Sequence, residues 1–275
     1  MNKIGFMQGR LSNLVNNQIQ SFPFEDWTYE FEPAKKIGFD CMEWTLDYPN
    51  FHNNPLLIPE KKREIELLSK SNNIEIHSIT LDCCMQRPFW KERDTQIRKK
   101  LIQDFKLIIN SSVIYGIKLL VIPLVDNGSI NNLQDGNLLI KILNSFELDL
   151  KKNNIMIAFE SDYSPSNLLD FINQFDKISY GINYDIGNSA SLGFDPVKEL
   201  DLYGDRIINV HVKDRVLNGT TVRLGNGNAD FEKVFQGLSD INYQENFILQ
   251  TARSLDNDHF GELELNYNFL KKYIF

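Results

Sequence analysis

The sequence predicts an α/β fold, a single (β/α)₈ TIM barrel that spans residues 1–275. The length is close to the roughly 250 residues of such a barrel. Short runs rich in β-branched and aromatic residues alternate with longer segments of helical periodicity, which is typical of repeated βα units. A doubly wound open sheet is the competing fold, but no Gly-x-Gly-x-x-Gly follows the first run, so a dinucleotide crevice is unsupported.

Eight runs are predicted as strands, because each is short and apolar, and each except the first is followed by one of the seven helical segments given below. They are Lys3–Phe6, Phe39–Trp44, Ile74–Thr80, Ile117–Pro123, Ile155–Glu160, Tyr180–Asp185, Ile207–Val212 and Phe247–Gln250. The predicted helical segments are Glu60–Ser71, Lys91–Tyr115, Asn137–Lys152, Ser166–Asp176, Asp195–Gly204, Asp230–Gly237 and Gly261–Tyr273. Gly38 and Gly116 are predicted to end helices, and Asp195-Pro196 to begin one.

Composition narrows the class of partner. The chain has 29 Lys+Arg against 37 Asp+Glu, a net charge of −8, which is unfavourable for nucleic acid and leaves a small molecule as the expected partner. Its three cysteines, two of them vicinal, do not form a disulfide framework.

No run approaches the roughly 18 to 20 apolar residues that cross a bilayer, and the first residues lack the apolar core of a signal peptide. We therefore expect a cytoplasmic protein without a membrane partner, and its aromatic loops are compatible with a homodimer.

Polar residues end four consecutive predicted strands. They are Glu160, Asp185, His211 and Gln250. In a barrel these ends meet at one rim, where two carboxylates, an imidazole and an amide oxygen would suit Mn²⁺, Mg²⁺, Co²⁺ or Zn²⁺. Each residue alone has a structural explanation, since a carboxylate can cap a helix and a histidine can be hydrogen-bonded core. Two acids buried at one rim are costly without a cation or a shared proton, so the set predicts a functional site.

These residues resemble the metal site of the xylose-isomerase-like barrels, which include sugar and sugar-phosphate isomerases and epimerases and the apurinic endonucleases. The resemblance covers nearly the whole chain. Its further motifs are Asp185-Ile186-Gly187-Asn188, His211-Val212-Lys213-Asp214 and Gly225-Asn226-Gly227-Asn228-Ala229-Asp230-Phe231. The resemblance implies a divalent metal ion held by Glu160, Asp185, His211 and, weakly, Gln250.

Two departures from the family pattern bear on mechanism. The family generally has Glu on the eighth strand, where it binds metal and serves ketose 3-epimerases as one of two acid/base groups, but this chain has Gln250. An amide brings no charge and accepts no proton. Many relatives also have His where this chain has Asn188, and four histidines in all make a multi-metal endonuclease site improbable.

The resulting expectation is a metal-dependent sugar or sugar-phosphate isomerase or epimerase. Glu160 would remove a proton beside a carbonyl to give an enediolate. Glu43, His77, Asn188, Lys213 and Arg253 are the predicted substrate contacts, with Lys213, Arg215 and Arg253 as candidate phosphate anchors. Asp82 lies just beyond the third predicted strand and could equally be structural. A non-catalytic sugar-binding barrel and a metal-dependent dehydratase or lyase acting on a cyclic polyol remain open alternatives.

Overall fold

The computed structural model describes residues 2–274 and has eight parallel strands that close into a barrel, which confirms the predicted fold. The barrel strands are β1 (Ile4–Met7), β2 (Cys41–Thr45), β3 (Glu75–Thr80), β4 (Leu119–Leu124), β5 (Met156–Ser161), β6 (Tyr180–Asp185), β7 (Ile207–Val212) and β10 (Phe247–Leu249). Strands β8 (Asp214–Arg215) and β9 (Thr221–Val222) form an antiparallel hairpin outside the barrel. The closed order is β1-β10-β7-β6-β5-β4-β3-β2, so each of the eight predicted runs overlaps one barrel strand.

The helices surround this barrel. They are α1 (Phe31–Ile37), α2 (Lys62–Asn72), α3 (Asp82–Gln86), α4 (Thr95–Tyr115), α5 (Leu133–Asn144), α6 (Glu147–Asn153), α7 (Pro165–Ile172), α8 (Ile186–Leu192), α9 (Pro196–Tyr203), α10 (Phe231–Asp240) and α11 (His259–Ile274). The segment predicted as Asn137–Lys152 is two helices, α5 and α6. The predicted segments did not include α1, of which only the end at Gly38 was predicted, and they missed α3, α8 and the β8/β9 hairpin. Within residues 2–274, every helix is too short or too polar to cross a bilayer.

Three predicted helix ends are confirmed. Gly38 and Gly116 end α1 and α4 with φ of 107° and 73°, a backbone conformation that glycine adopts more readily than most residues with a Cβ. Asp195 begins α9, and its carboxylate accepts a hydrogen bond from the backbone N–H of Val197 at 3.2 Å. These ends set where the chain turns back toward the barrel.

The side chains of each strand alternate between the barrel interior and the helical layer. On β2, Met42 and Trp44 belong to the large apolar core, and Trp44 packs against the rings of Phe22 and Trp27. Cys41 and Glu43 point the other way, into the barrel. The strand therefore buries apolar residues on one face and presents a carboxylate on the other.

Apolar side chains fill the lower part of the barrel interior. Met7, Cys41 and Ile248 form one small cluster, and Leu119, Val121 and Ala158 form another. Cys41 and Ala158 lie two residues before Glu43 and Glu160 on the same strands, and Ile248 lies two residues before Gln250, which directly follows β10. We call these two clusters the barrel floor. The polar residues stand on this floor, toward the carboxyl ends of the strands.

Candidate metal centre and substrate cavity

Three residues predicted as metal ligands meet at the carboxyl ends of β5, β6 and β7. One potential ligand atom each from Glu160, Asp185 and His211 lies within 4.8 Å of the other two. All three side chains are buried. The convergence expected from the ordered strand ends is therefore present.

Two asparagines hold the Glu160 carboxylate in place. Nδ2 of Asn183 donates to Oε2 at 3.0 Å, and Nδ2 of Asn188 donates to Oε1 at 2.6 Å. Burial alone would raise the pKa of Glu160, but the adjacent His211 imidazole, Lys213 and Asn183 bring it below its usual value. The carboxylate is therefore ionised at neutral pH.

Asp185 combines a capping role with a position at the site. Its Oδ1 accepts a hydrogen bond from the backbone N–H of Asn188 at 2.8 Å, which caps α8. Its Oδ2 accepts from Nζ of Lys213 at 3.2 Å. Burial raises the pKa of Asp185 and the charge of Glu160 adds to the rise, while Lys213 opposes it. One oxygen is thus fixed by the helix and the other faces the cluster.

His211 stands between two carboxylates. Its Nε2 lies 2.7 Å from Oε1 of Glu43, a hydrogen-bonding contact that orients the ring. Its Nδ1 lies 3.0 Å from Oε2 of Glu160, but no hydrogen bond of acceptable angle joins them, so this buried nitrogen has no hydrogen-bond partner among residues 2–274. Burial lowers the pKa of His211, but Glu43 and Glu160 outweigh it and raise the pKa to about 10.

Glu43 lies beneath the site rather than at its surface. Its carboxylate accepts hydrogen bonds from Ser78 Oγ at 2.7 Å, from Thr80 Oγ1 and from Asn209 Nδ2 at 3.1 Å, in addition to the His211 contact. Its side chain is fully enclosed. This differs from the expectation that Glu43 contacts substrate: the residue orients His211, as the outer partners of metal-binding histidines commonly do.

Gln250 reaches the cluster through a lysine. Its Oε1 accepts a hydrogen bond from Nζ of Lys213 at 3.1 Å, and the same ammonium lies on Asp185. The amide that replaces the family's glutamate is therefore next to the predicted ligands, with Lys213 between it and Asp185.

A cavity of about 540 Å³ opens over this cluster. Among the residues that line it are Gln20, Asp82, Glu160, Asn188, Lys213, Arg215 and Gln250. Its wall therefore carries carboxylates, amides and two cations, the groups that would hydrogen-bond the hydroxyls or a phosphate of a sugar.

The glycine-rich motif before α10 places Arg215 in this wall. The Asp214 carboxylate accepts hydrogen bonds from the backbone N–H groups of Gly225, Gly227 and Ala229 at 2.9, 2.8 and 3.1 Å. The neighbouring Arg215 donates from Nη1 to Oδ1 of Asn188 at 2.8 Å. The motif thus folds the β8/β9 hairpin against the site, and its function is structural.

Two predicted substrate contacts lie away from this cavity. Arg253 donates from Nη1 and Nη2 to the backbone carbonyls of Gly9 and Ser12, which ties the loop after β1 to the segment after β10. His77 lies on β3 one residue before Ser78, and the Ser78 side chain hydrogen-bonds Glu43 inside the barrel. Because successive side chains of a strand point to opposite faces, the His77 ring lies on the outer face of β3. There its Nδ1 is 3.6 Å from Glu75.

Sequence reasoning missed the second row of polar residues inside the barrel. Asn183 and Asn209 lie two residues before Asp185 and His211, and Asn209 Nδ2 donates to Oδ1 of Asn183 at 2.9 Å. The signal was present, because a polar residue two positions before a rim ligand lies on the same face of the strand. The pattern Asn-x-Asp on β6 and Asn-x-His on β7 predicts this row.

The side chains at the centre suit a divalent cation. Two carboxylates and an imidazole nitrogen without a hydrogen-bond partner are the donor types that Mn²⁺, Co²⁺ and Zn²⁺ accept. Asn183, Asn188 and Glu43 hold these donors, which is the outer support that a metal site requires.

The family's sequence profile matches residues 31–272 of this chain under the description xylose isomerase-like TIM barrel. The chain belongs to this family. It is 23% identical over 254 residues to the L-ribulose-5-phosphate 3-epimerase UlaE of Escherichia coli O1:K1, a match that covers 87% of each chain. A shorter match, 28% identical over 116 residues, is to an uncharacterised protein of Methanocaldococcus jannaschii, of which the chain spans 37%.

Solved structures share the family's fold. A D-allulose 3-epimerase from Methylomonas sp. superposes with a TM-score of 0.76 at 15% identity, covering 99% of this chain and 98% of that one. The IOLI protein, crystallised with a bound zinc atom, superposes with a TM-score of 0.73 at 17% identity, covering 98% and 99%. At these identities the likeness concerns the architecture.

Proposed function

We propose that this protein is a divalent-metal-dependent isomerase or epimerase of ketoses or ketose phosphates. The observation that carries the proposal is the buried cluster of Glu160, Asp185 and His211 next to a cavity whose wall carries Glu160, Lys213, Arg215 and Gln250. Membership in the xylose isomerase-like family and the similarity to a ketose-phosphate 3-epimerase support it.

The same three residues would hold the cation, with Gln250 as a fourth ligand of weaker character. A divalent ion bound there would polarise the substrate carbonyl and stabilise the negative charge of an enediolate. Glu43 would keep the His211 ring turned so that Nδ1 faces the cluster.

Glu160 is the base in this proposal. Its carboxylate is ionised at neutral pH and is held by Asn183 and Asn188, so it is oriented before substrate arrives. The bond from hydrogen to the carbon beside the carbonyl breaks, the proton passes to a Glu160 oxygen, and the electron pair remains on the substrate as the enediolate.

Lys213, Arg215 and Asn188 would orient the substrate. Lys213 and Arg215 are the cations of the cavity wall, and either can pair with a phosphate or donate to hydroxyls. Arg253 is left out of the proposed anchor because its guanidinium is committed to Gly9 and Ser12. His77 is left out because its ring lies on the other face of β3.

Deuterium exchange tests the proposal. The protein is loaded with Mn²⁺ and incubated in D₂O with ketoses and ketose phosphates, including D-allulose and L-ribulose 5-phosphate, and carbon-bound deuterium is followed by NMR. We expect uptake at the carbon next to the carbonyl, and we expect Glu160→Gln to reduce it by about 100-fold or more while the melting temperature is kept. Exchange that survives in Glu160→Gln removes this residue as the base.

One observation favours a second candidate, a sugar-binding barrel without catalysis. The Lys213 ammonium lies on both Asp185 and Gln250, so part of the negative charge is already balanced without a metal ion. Metal analysis separates the two candidates. Protein that gains no thermal stability from Mn²⁺, Co²⁺, Zn²⁺ or Mg²⁺ would favour binding alone, because an ion that binds only the folded state raises its stability.

A further inference from the structure

A second carboxyl group enters the cavity from a different wall. Asp82 follows β3 at the start of α3, and its side chain is only 5% exposed. It lines the cavity together with Glu160, Lys213 and Gln250. Because β4 separates β3 from β5 in the barrel order, Asp82 and Glu160 approach the cavity from different directions.

The helix does not account for this carboxyl group. The residue that begins α3 is Leu81, and no side chain caps the helix there. Among residues 2–274, no Lys or Arg forms an ion pair with Asp82. The nearby Arg10 guanidinium donates instead to the backbone carbonyls of Thr251 and Ile19. A buried acid without a counter-ion costs free energy, so its position calls for an explanation.

The surroundings of Asp82 favour the protonated form of its carboxyl group. Burial raises the pKa of Asp82 well above its usual value, and the negative charges of Asp47 and Glu160 add to the rise, while Arg10 and the Gln20 amide oppose it. Asp82 therefore lines the same cavity as Glu160 with a buried carboxyl group that favours holding a proton, which is what a proton donor to the enediolate requires.

We propose that Asp82 is the second proton-transfer residue, in the role that the amide of Gln250 cannot fill. The inference rests on the proposed function and adds that the reaction is an epimerisation by two residues. Glu160 takes the proton from the substrate carbon and an enediolate forms. The Asp82 O–H bond then breaks and its proton joins the same carbon from the other side. Glu160 ends protonated and Asp82 ionised, and in the reverse direction the two exchange roles.

Lys213 also lines the cavity and could donate a proton, but its hydrogen bonds place it beside the predicted metal ligands. Its ammonium is already bonded to Asp185 and Gln250 beside the predicted ligands. It can neutralise charge there, whereas the Asp82 carboxyl is not committed to a cation.

The test compares proton exchange with epimer formation in the Mn²⁺-loaded full chain. Asp82→Asn is incubated in D₂O with each member of two epimer pairs, D-allulose with D-fructose and L-ribulose 5-phosphate with L-xylulose 5-phosphate. From the epimer whose hydrogen faces Glu160, we expect deuterium uptake to continue while conversion to the other epimer falls by about 100-fold or more. From the other epimer, we expect uptake itself to be lost.

Controls keep these outcomes distinct. Asp170→Asn makes the same chemical change at an exposed residue of α7 that does not line the cavity, and should change neither rate. Asp82→Glu, which restores a carboxylic acid, should recover part of the conversion. Asp82→Asn that converts epimers at the wild-type rate overturns the inference, and so does equal loss of exchange from both epimers. A wild-type protein that exchanges no ketose refutes the proposed function itself.

Discussion

The turn that positions Arg215 leaves no room for a side chain at Gly227. A Cβ built there would lie 2.2 Å from Oδ1 of Asp214 and 2.6 Å from the backbone oxygen of Arg215. Asp214 cannot easily move aside, because three backbone N–H groups hold its carboxylate. We therefore expect Gly227→Ala to destabilise the fold and to displace Arg215 from Asn188.

The expected cost follows from these contacts. Forcing a methyl group into a filled site costs about 1–3 kcal/mol, and losing one hydrogen bond to a charged group costs about 1.5–3 kcal/mol. If Asp214 moves away from the new methyl group, the steric cost falls but a hydrogen bond is lost. The two costs therefore do not add in full, and we expect the free energy of unfolding to fall by about 2–4 kcal/mol. At about 2–4 °C per kcal/mol for a domain of this size, the melting temperature should fall by about 4–16 °C.

The assay is thermal and urea unfolding, with the Michaelis constant for any ketose that the exchange experiment identifies as a substrate serving as the functional measurement. Gly136→Ala is the matched control: this glycine lies inside α5, and its nearest neighbour would be a methyl carbon of Ile130 at 3.3 Å. The control should change stability by less than about 1 kcal/mol. A Gly227→Ala protein that melts within a degree of wild type would show that the close contacts do not constrain this turn.

Two further predictions concern pH and metal binding. Glu30 is buried, and burial raises its pKa to about 7 from an ordinary 4.5. Since the folded protein keeps this proton between those pH values while the unfolded chain releases it, stability should fall by roughly 3 kcal/mol as pH rises from about 4.5 to 7 and then level off. Glu30→Gln should flatten that slope in urea titrations, and an unchanged slope would assign it to other groups. Gln250→Glu adds a negative charge beside Asp185 and should lower the Mn²⁺ dissociation constant roughly tenfold by calorimetry. An unchanged constant would place residue 250 outside the coordination sphere.

Much of the fold is readable from the sequence because local signals and the barrel pattern agree. The eight strands are short apolar runs, and Gly38, Gly116 and Asp195 mark helix ends at the residues where the structure has them. The short helices α3 and α8 escaped prediction, since five and seven residues carry too little periodicity to recognise. Each begins within two residues of the end of a barrel strand, and in the case of α8 the last strand residue, Asp185, serves both the helix and the site.

The candidate site was readable only in part. The positions of Glu160, Asp185 and His211 follow from strand order, because the ends of parallel strands share one rim. The direction of a side chain depends on strand register, which the sequence did not specify. Strand register encloses Glu43 inside the barrel, against His211, and turns His77 to the outer face of β3, near Glu75. Arg253 follows β10 in a loop and hydrogen-bonds the backbone carbonyls of Gly9 and Ser12 in the loop after β1. No local sequence pattern predicts this contact between two distant segments.

Because the barrel floor lies below it, the cavity opens only at the carboxyl ends of the strands. Met7, Cys41 and Ile248, with Leu119, Val121 and Ala158, pack as apolar clusters in the lower part of the barrel, whose interior, as in TIM barrels generally, is a filled core and not a pore. Reactant and product must then use the same entrance in turn. Accumulated product should accordingly inhibit turnover competitively, and the enzyme should reach its full rate only where another reaction removes that product.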